Sequence, residues 1–145
     1  MGRGARYGRR VSAGVRIAVV ALVAHDRVLL VHRHPSRQNF PDLWDLPGGH
    51  VEDGEDWSDA AARECLEELG VGVKNLLQVP VGLAIPGVDA RAFVTSCWSG
   101  SPANLEPDEH DDLGWFTAEE LVGLTMVHPS TRAAVEGALE LGISC

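Results

Sequence analysis

Three glutamates, Glu64, Glu67 and Glu68, stand three and four positions apart in a segment whose apolar residues Ala61, Cys65 and Leu69 recur every fourth position. No other feature constrains the chain as tightly, because residues at these spacings share a face of an α-helix. One stripe of the helix must meet a core, while the neighbouring stripe gathers three like charges. Repulsion between such neighbours costs about 0.2–0.5 kcal/mol per pair on an exposed helix. A cation held between the carboxylates offsets that cost. Ser58 is the expected N-cap and Gly70 the residue just past the end, so the spacing predicts a helix through Leu69.

The rest of the chain reads as strands followed by shorter helices. VRIAVVALVA (15–24) and RVLLVHRH (27–34) are β-branched, apolar runs separated only by His25 and Asp26, which predicts a hairpin. With the preceding arginines the first run imitates a signal peptide, but Arg16 interrupts it and the hairpin accounts for both runs. Pro35 and Pro41 break PSRQNFPDL into a loop, and WDLPGG (44–49) reads as a short apolar strand. Further strands are expected in VKNLLQVPVGLAI (73–85), RAFVTSCW (91–98) and DLGWF (112–116), with PGVD (86–89) as a turn. Thr117 and Glu120 match a capping box, and Ser130 is placed to cap a last helix, TRAAVEGALEL, with Ala134, Ala138 and Leu141 on one side. This mixture predicts an α/β (α+β) sandwich, a mixed sheet between helices.

At 145 residues the chain suits one domain. Residues 13–145 are assigned to it, and residues 1–12, with Arg3, Arg6, Arg9 and Arg10, to a disordered Gly/Arg-rich tail. Beyond Ser12, 8 basic residues face 21 acidic ones, a net of −13, which leaves no electrostatic footprint for duplex nucleic acid or an anionic membrane. No apolar run approaches the roughly 20 residues that a membrane-spanning helix needs. Three cysteines, an odd number without a C-x-x-C pair, argue against a disulfide framework and a structural zinc site, and the cytoplasm is the expected compartment.

Gly49, five residues, Glu55, seven residues, then Arg63-Glu64-Cys65-Leu66-Glu67-Glu68-Leu69-Gly70-Val71 resembles the Nudix hydrolase signature at every fixed position. The soft departure is Cys65, where the family usually has a larger aliphatic residue. WDLPGG precedes the signature as a similar stretch does in the family. The resemblance implies the family's sheet-between-helices fold and hydrolysis of a nucleoside diphosphate linked to another group X, by water attacking phosphorus. It also implies Mg²⁺, with Mn²⁺ able to substitute, held by the Gly48 carbonyl and by Glu64, Glu67 and Glu68, while Arg63 orients Glu55. The residue chemistry agrees independently of the name, since clustered carboxylate oxygens suit hard divalent cations that are shared with substrate phosphates.

The general base varies within the family; Glu67 or Glu64 comes first, and an acid from the later loop LEPDEHDDLGWF second. Family members often carry a glutamate about six residues before a strand-closing aromatic, and Glu109 stands there before Trp115, with Asp108, Asp111 and Asp112 as competitors. His32, His34 and His110 are weighed as pocket residues against ordinary strand positions, without the spacing of a zinc site. Trp44, Phe93, Trp98 and Trp115 are weighed as base-stacking or core residues.

By resemblance to small family members the leading substrate is a nucleoside triphosphate, cleaved to monophosphate and pyrophosphate. Pro86, 16 residues after Gly70, keeps ADP-ribose or a nucleotide sugar as the alternative. Tyr7 is the sole tyrosine, so the one expected after the signature in dinucleoside polyphosphate hydrolases is missing. A non-catalytic nucleotide-binding sensor is the alternative from another class, opposed by the intact acids. Isoprenoid diphosphate isomerisation is opposed by Cys97, which lies in SCWSG rather than in the motif that reaction needs. The expected partner is a small nucleotide, and the sequence leaves the oligomeric state open.

Overall fold

A computed structural model describes residues 14–80, 86–126 and 129–145. The Gly/Arg tail and the end of the expected strand at 81–85 lie outside the described residues. Strands β1 (Val15–Ala24) and β2 (Arg27–Arg33) form the expected hairpin, with Val23 opposite Val28 and Ala24 opposite Arg27. His25 adopts a φ of 58° at the tight turn between them.

WDLPGG is divided rather than forming one strand. β3 (Trp44–Asp45) extends β2, whereas β4 (Gly48–His50) joins β1. Pro47, which has no N–H to give to a ladder, stands at the division and accepts a hydrogen bond from Val20 N at 2.9 Å. Helix α1 (Trp57–Leu69) follows, capped by Asp56 rather than by Ser58. The Asp56 carboxylate accepts from both Ser58 N and Ser58 Oγ, at 3.3 and 2.7 Å, so Ser58 supports the cap from inside the first turn. Gly70 ends the helix as expected, at φ 73°, its N–H donating to Leu66 O.

The remaining elements are β5 (Gly72–Lys74), β6 (Leu77–Val79), β7 (Val88–Thr95), β8 (Cys97–Ser99), β9 (His110–Thr117), α2 (Ala118–Leu121) and α3 (Pro129–Glu140). The main sheet runs β3-β2-β1-β7-β6, with β4 added on β1 and β9 on β2; β5 and β8 form a separate ribbon. β1 and β7 are parallel and every other pair is antiparallel, giving the mixed sheet. Along β1, Ala18, Val20 and Leu22 pack under α1 with Ala61, Cys65 and Leu69. The alternate residues Ala21 and Val23 face the opposite cluster with Val135 and Ala138 of α3. That two-sided alternation makes the α/β (α+β) sandwich, each face burying its own apolar set.

Thr117 and Glu120 make the expected capping box at α2. α3 begins at Pro129, so Ser130 is its second residue rather than its cap, and Leu141 lies exposed beyond its end. Cys97 and Cys145 are joined as a disulfide, against the expectation from the odd count, while Cys65 is free and buried with its thiol pushed up to about 12 by burial. Among the described residues no helix is long and apolar enough to cross a membrane.

Candidate active site

Between β4, α1, the 34–43 loop and the start of β9 lies a cavity of about 600 Å³. Arg63 organises its acidic wall. It donates through Nε and Nη2 to the two Glu55 oxygens at 2.8 and 3.1 Å, through Nη1 to Glu64 and Glu67 at 3.1 and 3.3 Å, and through Nη2 to His50 O at 2.9 Å. Glu55 is thereby fixed beside Arg63, and its other tie is a bond accepted from Glu52 N. Hydrogen bonding to Arg63 holds the Glu55 carboxyl down at about 2. The orienting pair that the resemblance implied is a bidentate, charge-assisted one.

Glu64, Glu67 and Glu68 all line the cavity. Glu68 is only 4% exposed and accepts from Gly48 N at 3.2 Å. Burial, and then the Glu64 carboxylate beside it, push the Glu68 carboxyl far above the usual carboxylate range. Glu64 is raised for the same first reason, burial, opposed by Arg63. Glu67 is half-exposed.

Glu109 completes the wall from the far side, paired with Arg37 at 3.7 Å. One ligand atom each from Glu68, Glu109 and His110 lie within 4.8 Å of one another. The competitors of Glu109 do not share this position, since neither Asp108, Asp111 nor Asp112 lines the cavity.

The donor set fits a divalent cation. Seven carboxylate residues line the cavity, Glu64, Glu67, Glu68 and Glu109 among them, a gathering that is costly without a positive partner and suited to hard ions with one. Space has been left for them, because a Cβ on Gly49 would stand 2.5 Å from Glu64 Oε1. Gly48 is held at φ 150°, where a Cβ would meet Ala18 O at 2.2 Å. Both glycines are therefore required by close approach, the first to a carboxylate and the second to backbone.

Several expected pocket residues fall elsewhere. His32 Nδ1 donates to Asp111 Oδ1, 2.6 Å away, and the ring packs edge-on against Trp44, while His34 bonds Ser36. Of the three histidines only His110 lines the cavity. Trp44 packs on the α3 side with Phe116, Phe93 is buried under α1, and Trp98 and Trp115 stack on each other there. None of the four reaches the cavity.

The aromatic residue on its wall is Phe40, 49% exposed and at φ 50°, which loop composition alone did not single out. Arg33 holds that loop, donating to Phe40 O at 2.9 Å and to Asn39 O at 2.8 Å. Arg37 and Phe40 thus share the cavity with the acids, Arg37 beside Glu109.

The NUDIX domain family model matches residues 13–136. A Bacillus subtilis protein provisionally named 8-oxo-dGTP diphosphatase is 48% identical over 103 residues, covering 71% of this chain and 66% of that one. The m7GpppN-mRNA hydrolase NUDT17 of Xenopus laevis is 40% identical over 76 residues, 52% of this chain, and the chain spans only 25% of that protein's length. Among solved structures, the MutT NUDIX hydrolase from Burkholderia pseudomallei superposes with a TM-score of 0.76 at 31% identity, covering 84% of this chain and 95% of that one. The chain belongs to the NUDIX family. Its fold is that of the MutT-like members, and it spans from about a quarter to less than half of the length of the first curated relatives that it matches.

Proposed function

We propose that the protein is a divalent-cation-dependent pyrophosphohydrolase that converts nucleoside triphosphates to monophosphate and pyrophosphate, Mg²⁺ being the ion and Mn²⁺ its substitute. One observation carries the reading: a single cavity is lined both by the carboxylates Glu64, Glu67, Glu68 and Glu109 and by the Arg37 guanidinium and the Phe40 ring. That division suits a ligand with a polyphosphate at one end and an aromatic base at the other. The Bacillus subtilis relative, by its name, supports a triphosphate. Pro86 sits in the turn before β7 and does not line the cavity, so the ADP-ribose hint gains no support from its position.

The Gly48 carbonyl with Glu64, Glu67, Glu68 and Glu109 would hold the ion. When bound, the ion neutralises the diphosphate oxygens and the charge that develops on them. Arg63 keeps Glu55, Glu64 and Glu67 in fixed orientation. The half-exposed Glu67, or Glu64 behind it, takes the proton from the water that attacks phosphorus, and Glu109 is the third choice. As the new P–O bond forms, the bond to the leaving phosphate oxygen breaks and pyrophosphate departs. Residues 13–145 form the catalytic domain in this reading, residues 1–12 an appended arm, and the cytoplasm supplies the nucleotide.

Incubating the purified chain with Mg²⁺ or Mn²⁺ and a panel of nucleoside triphosphates, ADP-ribose, nucleotide sugars and capped dinucleotides, with products separated by chromatography, tests it. A monophosphate with pyrophosphate is expected. AMP with a sugar phosphate would transfer the assignment to the ADP-ribose alternative. Tight nucleotide binding without turnover would identify a sensor.

A further inference from the structure

We propose that His110 is a metal ligand, and that with Glu68 and Glu109 it makes a nitrogen-containing site that strengthens binding of the substitute ions Mn²⁺ and Co²⁺ relative to Mg²⁺. The inference rests on the reading that this cavity binds a divalent cation, and it adds a ligand that shifts the preference among ions.

Two independent observations lead to it. One ring nitrogen of His110 and one oxygen each of Glu68 and Glu109 lie within 4.8 Å of one another. Ligand atoms on opposite sides of one ion stand roughly 4.0–4.6 Å apart, twice a metal–ligand bond. Three atoms at the 4.8 Å limit would each stand about 2.8 Å from a central ion against a bond of about 2.1 Å, so closure needs movements of up to about 0.7 Å. The second observation is that His110 is 3% exposed and its Nδ1 has no hydrogen-bond partner among the described residues. A buried polar atom left unpaired costs about 1–3 kcal/mol, so it marks a missing partner.

The ring is placed rather than loose. His110 N donates to Glu106 O at 3.0 Å, and His110 O accepts from Asn104 Nδ2 at 2.7 Å, fixing the first residue of β9. Across the ladder it opposes Arg33, whose donors reach Asn39 O and Phe40 O. The remaining cation at the cluster is Arg37, 3.7 Å from Glu109, which an ion between the two glutamates and His110 would displace.

Carboxylates alone form a hard donor set suited to Mg²⁺, whereas imidazole is a borderline donor that favours first-row transition ions. His110 thus raises the affinity for Co²⁺, and less strongly for Mn²⁺, relative to Mg²⁺, compared with the same carboxylates alone.

The test is pulsed EPR on the full chain, stripped with a chelator and reloaded with Mn²⁺, read for nitrogen hyperfine coupling to the bound ion. Coupling is expected in the wild type, changing isotope pattern when histidine is supplied as ¹⁵N. It should vanish in His110→Gln while Mn²⁺ remains bound, and His50→Ala, at the other histidine on the cavity wall, should retain it. Competition against Mg²⁺ should show the Mn²⁺ preference falling at least about tenfold in His110→Gln. The wild-type and His50→Ala spectra decide the matter even where His110→Gln fails to fold. Mn²⁺ bound without nitrogen coupling, or coupling that disappears in His50→Ala, overturns the proposal and leaves the cation-dependent reading standing. Absence of any Mn²⁺ binding overturns both.

Discussion

Replacing Gly49 by alanine separates the chemistry of the cavity from the stability of the fold. An added Cβ would meet Glu64 Oε1 at 2.5 Å, Cδ at 2.7 Å and Oε2 at 2.9 Å, where ordinary contact starts at 3.4 Å. The carboxylate must therefore retreat by about 0.9 Å from a position that it shares with Arg63 Nη1 at 3.1 Å. The obstructed atoms are the end of a side chain, and Gly49 has no left-handed φ, so the backbone has no reason to move. A displacement near 1 Å in a catalytic constellation costs up to about 100-fold in rate, or about 2.7 kcal/mol of transition-state stabilisation. Alanine at a compatible backbone position otherwise adds about 0.4–1 kcal/mol of stability through the unfolded chain. Steady-state kinetics at saturating cation should thus show kcat/KM lower by about two orders of magnitude, with Tm unchanged or slightly raised. Activity within threefold of wild type, or a loss of activity that tracks a loss of Tm, would refute the reasoning.

Gly48→Ala should behave in the opposite way, because its Cβ would meet the Ala18 carbonyl at 2.2 Å and its φ is 150°; Tm should fall, with the strained dihedral alone costing about 1–3 kcal/mol. Arg63→Lys keeps the charge but loses the fork that holds Glu55, Glu64, Glu67 and His50 O, so kcat/KM should drop at least about tenfold. In the same variant the Glu55 carboxyl, now near 2, should titrate closer to an ordinary glutamate by NMR. Burial pushes the Asp45 carboxyl up to about 6 from an ordinary 3.8, so the unfolded chain releases its proton first and stability falls as pH rises through that interval. Asp45→Asn abolishes that slope, and urea denaturation should find the variant gaining on the wild type between pH 4 and 6. Reducing Cys97–Cys145, which closes a loop of sequence separation 48, should lower the urea-unfolding free energy by up to about 4 kcal/mol.

The parts of the fold governed by local pattern were legible in the sequence. The 15–24 and 27–34 runs gave the hairpin, and Ala61, Cys65 and Leu69 marked the buried stripe of α1 because their spacing is that of a helix. Asp56 and Ser58 are equally good capping residues, and only three-dimensional geometry distinguishes the carboxylate that accepts from the hydroxyl that donates to it. The division of WDLPGG between β2 and β1, and the parallel pairing of β1 with β7, depend on partners far along the chain.

At the site, Glu64, Glu67 and Glu68 were singled out by their helical spacing and Glu109 by the family resemblance, and all four line one cavity. Of the two readings weighed for Trp44, Phe93, Trp98 and Trp115, the fold takes the core one, because each buries a large apolar surface, and Phe40 of an aperiodic loop is left at the opening. Cysteine counting failed for a similar reason, since parity says nothing about which two sulfurs the fold brings together.

The two walls of the cavity are anchored in different ways. β4 is laddered to β1 at Val19, Ala18 and Ile17, and α1 packs on the same strand, so the acids rest on the centre of the sheet. The Arg37–Phe40 wall is a loop whose shape is held by Arg33 on the carbonyls of Asn39 and Phe40. Mutation can therefore redraw that loop, lengthening it or exchanging its side chains, while α1, which carries Glu64, Glu67 and Glu68, keeps its seat on the sheet. A lineage built on such a frame can drift from one leaving group to another without passing through inactive ancestors, because cleavage and recognition are inherited on separate pieces of backbone.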